Sequence, residues 1–265
     1  MPGLRRLLAT ALVAATLTAL SAAGSSAEEP QAGPSADGPS VISLNSYVAF
    51  TRGAALRGTG AKGARVAATY GWRASDPQGI CSQDLVLEAI VPDVFYERSN
   101  LPGSARSVTI SARVGGSTLE PDSSDSTYQV FLDVTDCAGN WTGEDGMYFE
   151  TGIRQEDAAT YSAGWTSGRC DCYSGQGVRK TTTPGATATF TFSGRSVGVV
   201  MPKAPNRGTV RILVDGVQRD RIDLAGPTRN RVVVASYVLP DEGPHTVKVV
   251  SAGTGQVDVD AFIVS

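Results

Sequence analysis

Cys170-Asp171-Cys172 runs straight into Tyr173-Ser174-Gly175, with Trp165 shortly before it and Arg179 shortly after. Two thiols one residue apart can close a small disulfide ring, cycle as a redox pair or hold a soft metal. A metal needs more soft ligands than these two, and no histidine or further cysteine lies nearby in sequence. The pair is therefore read as a disulfide that pins a loop. Tyr173 and Trp165 offer aromatic faces of the kind that grip a sugar ring, and Arg179 offers donors to its hydroxyls. Tyr173 is the better surface candidate because Ser174-Gly175 places it on a loop; Trp165 is also suited to core packing at a strand start. A second polar stretch, Pro202-Lys203-Ala204-Pro205-Asn206-Arg207-Gly208, is basic. Asn206 and Arg207 there suit contact with an acidic glycan, or simply a proline-stiffened connection between strands.

Other chemistries lack their residues. His245 is the only histidine. It stands in G-P-H-T-V-K-V-V on the parity of Val247 and Val249, which is a strand position rather than that of a general base. No serine nucleophile elbow, zinc-binding histidine pair or phosphate loop occurs. Paired carboxylates for glycoside hydrolysis carry no sequence spacing. The expectation is that the chain is not an enzyme.

The elements that position these residues read as strands. Glycine occurs 30 times, aromatics make up 7%, and valine, threonine and serine abound. That composition fits antiparallel β domains. Strands are expected over 41–50, 65–73, 84–90, 107–114, 128–134 and 146–151, with a possible extra edge segment. This is close to the count of an immunoglobulin-like or fibronectin type III-like sandwich. Trp72 is expected in its core. Cys81 precedes the third of these strands and Cys137 follows the penultimate one. In such a sandwich those strands are antiparallel neighbours, so Cys81 pairs with Cys137 and leaves Cys170 to Cys172. A second group of strands is expected over 178–182, 186–192, 196–201, 209–214, 218–224, 231–238, 245–251 and 256–264. Asp215-Gly216 marks a type I′ hairpin turn between two of them. Eight antiparallel strands in this length suggest a jelly roll. Asp258 and Asp260 share a parity opposite to Val257, Val259 and Ala261, and should point away from the apolar face.

The ends and the charge bound the setting. Arg5 and Arg6 followed by an apolar run to Leu20 and the small residues Ser25-Ser26-Ala27 read as a secretory signal over 1–27. A Pro/Gly/Ser/Ala-rich tether follows over 28–40. The two sandwiches then occupy 41–151 and 152–265. Lys+Arg number 23 against 26 Asp+Glu; without the two signal arginines the balance is 21 − 26 = −5. That argues against nucleic acid as a partner, and no apolar span predicts membrane insertion. An exported, extracellular protein with four cysteines is expected to carry them as disulfides.

The order G-W…C-x-C-Y-S-G…G-A-x-A-x-F-x-F-S-G, then P-x-x-P-x-R-G-x-V-x-I-x-V-D-G-V, then G-P-H-T-V-K-V-V and V-D-V-D-A-F-I-V, resembles the galactose-binding-like β-sandwich modules of secreted bacterial proteins. These are similar in outline to carbohydrate-binding modules. The first region, with W-R-A-S-D-P-Q-G-I-C and V-T-D-C-A-G-N, resembles the fibronectin/immunoglobulin-like domain that often precedes such a module. The resemblance implies two β-sandwiches and recognition of a polysaccharide or cell-surface glycan. It also implies that acids near both ends of the second module share a structural Ca²⁺, here Glu156, Asp157 and Asp260. Solvated surface acids are the alternative. Where such modules often carry an aromatic, this chain has Val199 or Val200. A structural or protein-interaction role in the cell envelope is the alternative to glycan binding, and a small glycan-active enzyme is a second.

Overall fold

Runs rich in valine and threonine, broken by glycine and proline, form strands almost throughout the computed structural model, which describes residues 38–58, 64–89, 95–115 and 125–265. The expected signal segment and most of the expected tether lie outside the described residues. In the first half the strands are β1 Ser40–Phe50, β2 Ala64–Ser75, β3 Ile80–Ala89, β4 Phe95–Pro102, β5 Ser107–Val114, β6 Asp125–Asp136 and β7 Trp141–Gln155. A 3-10 turn, Glu156–Ala158, is the sole helical element among the described residues. The second half contains β8 Thr160–Tyr161, β9 Thr166–Arg169, β10 Gly177–Thr181, β11 Thr187–Ser193, β12 Ser196–Lys203 and β13 Thr209–Val214. It continues with β14 Val217–Asp223, β15 Arg229–Val238, β16 Pro244–Ser251, β17 Val257–Val259 and β18 Ala261–Val264.

The protein is all-β and built from two β-sandwiches. The sheets run β1-β2-β5, β14-β13-β16-β11-β8, β17-β10-β9 and a seven-stranded β15-β12-β18-β7-β6-β3-β4. This last sheet belongs to both sandwiches. Its β7-β6-β3 part faces β1, β2 and β5 across a core that contains Tyr70, Trp72, Leu85, Leu132 and Phe149. Its β15-β12-β18 part faces the five-stranded sheet across a core that contains Phe190, Ile212, Val249 and Phe262. Strand β7 makes the hand-over. Its length pairs with β6, and its end pairs with β18, Ala261 opposite Gln155 and Val264 opposite Gly152. The position 151/152, where the sequence reading divides the chain, falls inside β7.

The pattern of β12 and β18 explains the join. Val199, Met201, Phe262 and Val264 face the second core, while Val200, Ala261 and Ile263 belong to the first. A strand with apolar cover on both faces reads as a continuous apolar run rather than an alternation, as V-G-V-V-M and A-F-I-V do. Gly198 is needed for closeness, since a Cβ there would lie 2.7 Å from Ile263 Cγ1.

Local expectations are met at several points. Asp215 and Gly216 both have positive φ (49° and 78°) and join β13 to β14 as a type I′ turn requires. Trp72 is buried and donates from Nε1 to Gln83 Oε1 at 2.8 Å. The Gln83 amide in turn donates to the carbonyls of Pro102, Gly103 and Ala105, so this buried polar side chain is satisfied. Strands β3 and β6 are antiparallel neighbours, and Cys81–Cys137 bridges them with a Cα–Cα distance of 4.9 Å. Three strands have no counterpart among the expected ones: β4, where only an edge segment is suggested, and the short β8 and β9. Among the described residues no helix is long and apolar enough to cross a membrane.

Candidate functional site

The loop 170–177 joins β9 to β10 and is held from several sides. Cys170 N–H donates to the Gln176 carbonyl at 3.0 Å, and Tyr173 N–H to the Cys170 carbonyl at 3.1 Å. Gln176 takes the left-handed conformation (φ 65°) that closes the turn. Cys170 and Cys172 are disulfide-bonded. From β15, Arg231 reaches under the loop and donates through Nε to the Cys172 carbonyl at 3.0 Å and through Nη2 to that of Asp171. The loop therefore presents its side chains from a fixed backbone.

Those side chains meet two acids of the chain's last strands. Ser174 donates from both its N–H (2.8 Å) and its hydroxyl (2.7 Å) to Asp260 Oδ1. Asp258 is fully buried and takes Arg207 Nη2 on Oδ2 at 2.6 Å and Gln256 Nε2 on Oδ1 at 2.6 Å. The Tyr173 hydroxyl lies 3.4 Å from the same Oδ2. Arg207 also donates to Asn206 Oδ1 at 2.6 Å. Tyr173 and Arg207, far apart in sequence, thus converge on Asp258, and Asn206 joins them through Arg207. Tyr173 is half-buried rather than fully displayed. Burial, and then the neighbouring Asp258 carboxylate, push its hydroxyl pKa up.

Trp165 and Arg179 sit in a different group, organised by Tyr161. Trp165 packs edge-on to the Tyr161 ring with centroids 5.0 Å apart, and the Arg179 guanidinium lies 5.4 Å above that ring. Tyr161 donates its hydroxyl to the Glu156 carbonyl. Trp165 is half-buried against the second core, and its Nε1 is buried without a partner.

The parity of Asp258 and Asp260 names their face but not their surroundings. Both leave the valine core as alternation demands, yet neither reaches solvent: each is 0% exposed. The chain breaks between β17 and β18 at Asp260, and the loop 170–177 closes over that break. Asp260 Oδ2 is left buried with no hydrogen-bond partner. Burial raises the Asp260 pKa to about 6, only partly offset by the Ser174 bonds and Arg231, with Glu156 adding a further upward push. Glu156 is itself raised, first by burial and then by Asp157. Its carboxylate lies over Gly177, where a Cβ would come within 1.9 Å of Oε1.

These facts bear on the Ca²⁺ expected from Glu156, Asp157 and Asp260. An unpartnered buried carboxylate oxygen within electrostatic reach of a second carboxylate suits oxygen-only ligation. Asp157 does not join them; it is exposed on the 3-10 turn. Among the described residues no group of three or more His, Cys, Asp or Glu side chains forms a metal centre. The fit rests on Asp260 and Glu156.

A pH dependence follows. An aspartate whose folded pKa of about 6 lies above the ordinary 3.8 binds its proton more tightly when folded. Its stabilising effect is full below pH about 4 and is lost as pH rises through about 6, a swing on the order of 3 kcal/mol. Denaturant titrations should show this slope in the wild type and not in Asp260→Asn. Ca²⁺ should raise the melting temperature of the wild type at pH 7 and leave that of Asp260→Asn unchanged.

Sequence reasoning missed Tyr161, Ser174, Arg231 and Gln155, whose Oε1 lies 2.9 Å from the Ser174 hydroxyl. The V-D-V-D-A alternation pointed to the two acids but not to their cover, which comes from a loop some eighty residues earlier.

Residues 166–262 match the family model described as the N-terminal domain of carbohydrate esterase 2. No curated protein matches the chain. Among solved structures, the Agl-KA catalytic domain is similar at 16% identity and a TM-score of 0.34, covering 43% of this chain and 27% of that one. A family two carbohydrate esterase from Cellvibrio japonicus is similar at 13% identity and a TM-score of 0.35, over 43% of this chain and 33% of that one. A family 35 carbohydrate binding module from an environmental isolate is similar at 13% identity and a TM-score of 0.32, over 43% of this chain and 92% of that one. The chain thus spans a third or less of the length of the first two.

Proposed function

We propose that this is an exported, non-catalytic protein whose second sandwich binds a polysaccharide or cell-surface glycan through the Tyr173 loop. The observation that carries this reading is the carbohydrate esterase 2 N-terminal match over 166–262, which contains Tyr173, Arg179, Asn206 and Arg207. Tyr173 offers a ring face, Asn206 and Arg207 offer polar contacts beside it, and the braced loop reduces the ordering cost of binding. The first sandwich, read as fibronectin/immunoglobulin-like, serves as a spacer or second contact surface. Asp260, with its unpartnered buried oxygen, and Glu156 would hold a Ca²⁺, which would supply a counter-charge to the two carboxylates. Affinity electrophoresis through a panel of polysaccharides tests the proposal. Retardation in at least one gel, weakened about tenfold or more by Tyr173→Ala, is expected. Unretarded migration in every gel would count against it.

An enzymatic reading has one observation in its favour: the matched family is named for an esterase. His245, however, has both ring nitrogens engaged away from any hydroxyl. Nδ1 lies 2.8 Å from Asp215 Oδ2, and Nε2 lies 3.2 Å from Asp241. A Ser–His pair needs one of those nitrogens. Acetate release from an acetylated polysaccharide, abolished by His245→Asn, would establish the esterase reading instead.

A further inference from the structure

The second sandwich is open along one side. Strand β14 is the edge of its five-stranded sheet and β15 the edge of the seven-stranded one. The connector after β1 runs along β15, with Gly53 N–H donating to the Val233 carbonyl and Val233 N–H to that of Ala54, both at 2.8 Å. Between these segments lies a cleft of about 410 Å³, with Val232, Val233 and Val234 in its wall. This volume is within the range of small-ligand sites.

The charge around the cleft is unbalanced. Arg52, Lys203, Arg221 and Arg229 line it, against Asp220 and Asp223. Asp220 is already engaged: it accepts Arg52 through both oxygens (3.3 and 2.6 Å) and the Tyr237 hydroxyl at 2.5 Å. Asp223 caps the N–H of Ala225 at 2.9 Å. Arg229 gives one N–H to the Gly53 carbonyl at 2.9 Å and makes no other side-chain bond among the described residues. Lys203 has no hydrogen bond or ion pair among the described residues. Lys203 and Arg229 stand directly opposite each other in the β12–β15 register. Like charges in that relation destabilise a sheet. A chain with net charge −3 thus gathers uncompensated cations at one cleft, which focuses the local field on an anion.

The geometry points to an anion-binding site here: Lys203 and Arg229 take the oxyanion of a carboxylated or sulfated saccharide. This extends the proposed function to a second site and rests on that reading only for the saccharide part of the ligand.

Retention of the full exported chain on immobilised polygalacturonate, dextran sulfate and neutral dextran tests it. Retention on one or both polyanions is expected, with loss between about 0.05 M and about 0.5 M salt as screening sets in. Which of the two retains the protein tells a carboxylate ligand from a sulfate. Lys203→Gln should weaken retention, and Lys203→Gln with Arg229→Gln should weaken it about tenfold or more. Should the double variant melt early, Lys203→Gln alone decides, since that side chain makes no bond among the described residues. Retardation by a neutral polysaccharide through the Tyr173 loop should survive about 0.5 M salt, whereas cleft retention should not, so a failed Tyr173 site and a failed cleft give different patterns. No retention on either polyanion, or equal retention of wild type and the Lys203 variant, would overturn the inference.

Discussion

Phe262→Ala is expected to lower the stability of the whole chain by about 3–5 kcal/mol, and Ile263→Ala by about 2–5 kcal/mol. Both residues are fully buried. Phe262 stacks on Phe190 with centroids 4.4 Å apart in the second core, while Ile263 belongs to the first. These neighbours on β18 face opposite ways, so each substitution empties a different core. Because both cores share this strand, each variant should still melt in one transition, displaced as a whole. Calorimetry decides between this and independent sandwiches. Two separate transitions, only one of them moved, would show that the shared sheet does not couple them.

The second large effect belongs to Cys81–Cys137. Replacing both by serine should cost about 4 kcal/mol in the chain-entropy account, because the bridge closes a loop with a sequence separation of 56. Denaturant unfolding of the double variant, with and without reductant, measures it; reductant should then have little further effect on the midpoint. Serine at both Cys170 and Cys172 should cost much less, since their ring spans a separation of only 2. Ser174 and Arg231 also hold that loop from either side. A larger loss from the small ring than from the long one would contradict this account.

Both bridges, the Asp215-Gly216 hairpin and the burial of Trp72 were legible in the sequence because each depends on local signals: strand parity, turn chemistry and cysteine placement. Less legible was whatever depends on cover from elsewhere. Val199 and Val200 both being buried is a sign of a strand between two cores, yet a single short apolar run does not say what lies behind it. Asp258 and Asp260 follow the alternation of their strands, but alternation names a face and not its environment. Their burial comes from the loop around Ser174 and from Arg207. Tyr173 was legible as a loop residue, and its tether to Asp258 was not. The convergence of Lys203, Arg221 and Arg229 at one cleft depends on which strand edges adjoin, which spacing along the chain does not reveal.

The strand that belongs to two sandwiches also limits how this protein can be divided. A fragment beginning at residue 152 would keep the loop, the acids and the hairpin, and would carry every residue of the family match. It would also turn Val200, Val233, Ala261 and Ile263 out of the first core into water, a patch of the kind that makes fragments associate. The second sandwich cannot be transplanted alone into another protein as a self-contained bead: it must travel with its neighbour or be given a new back.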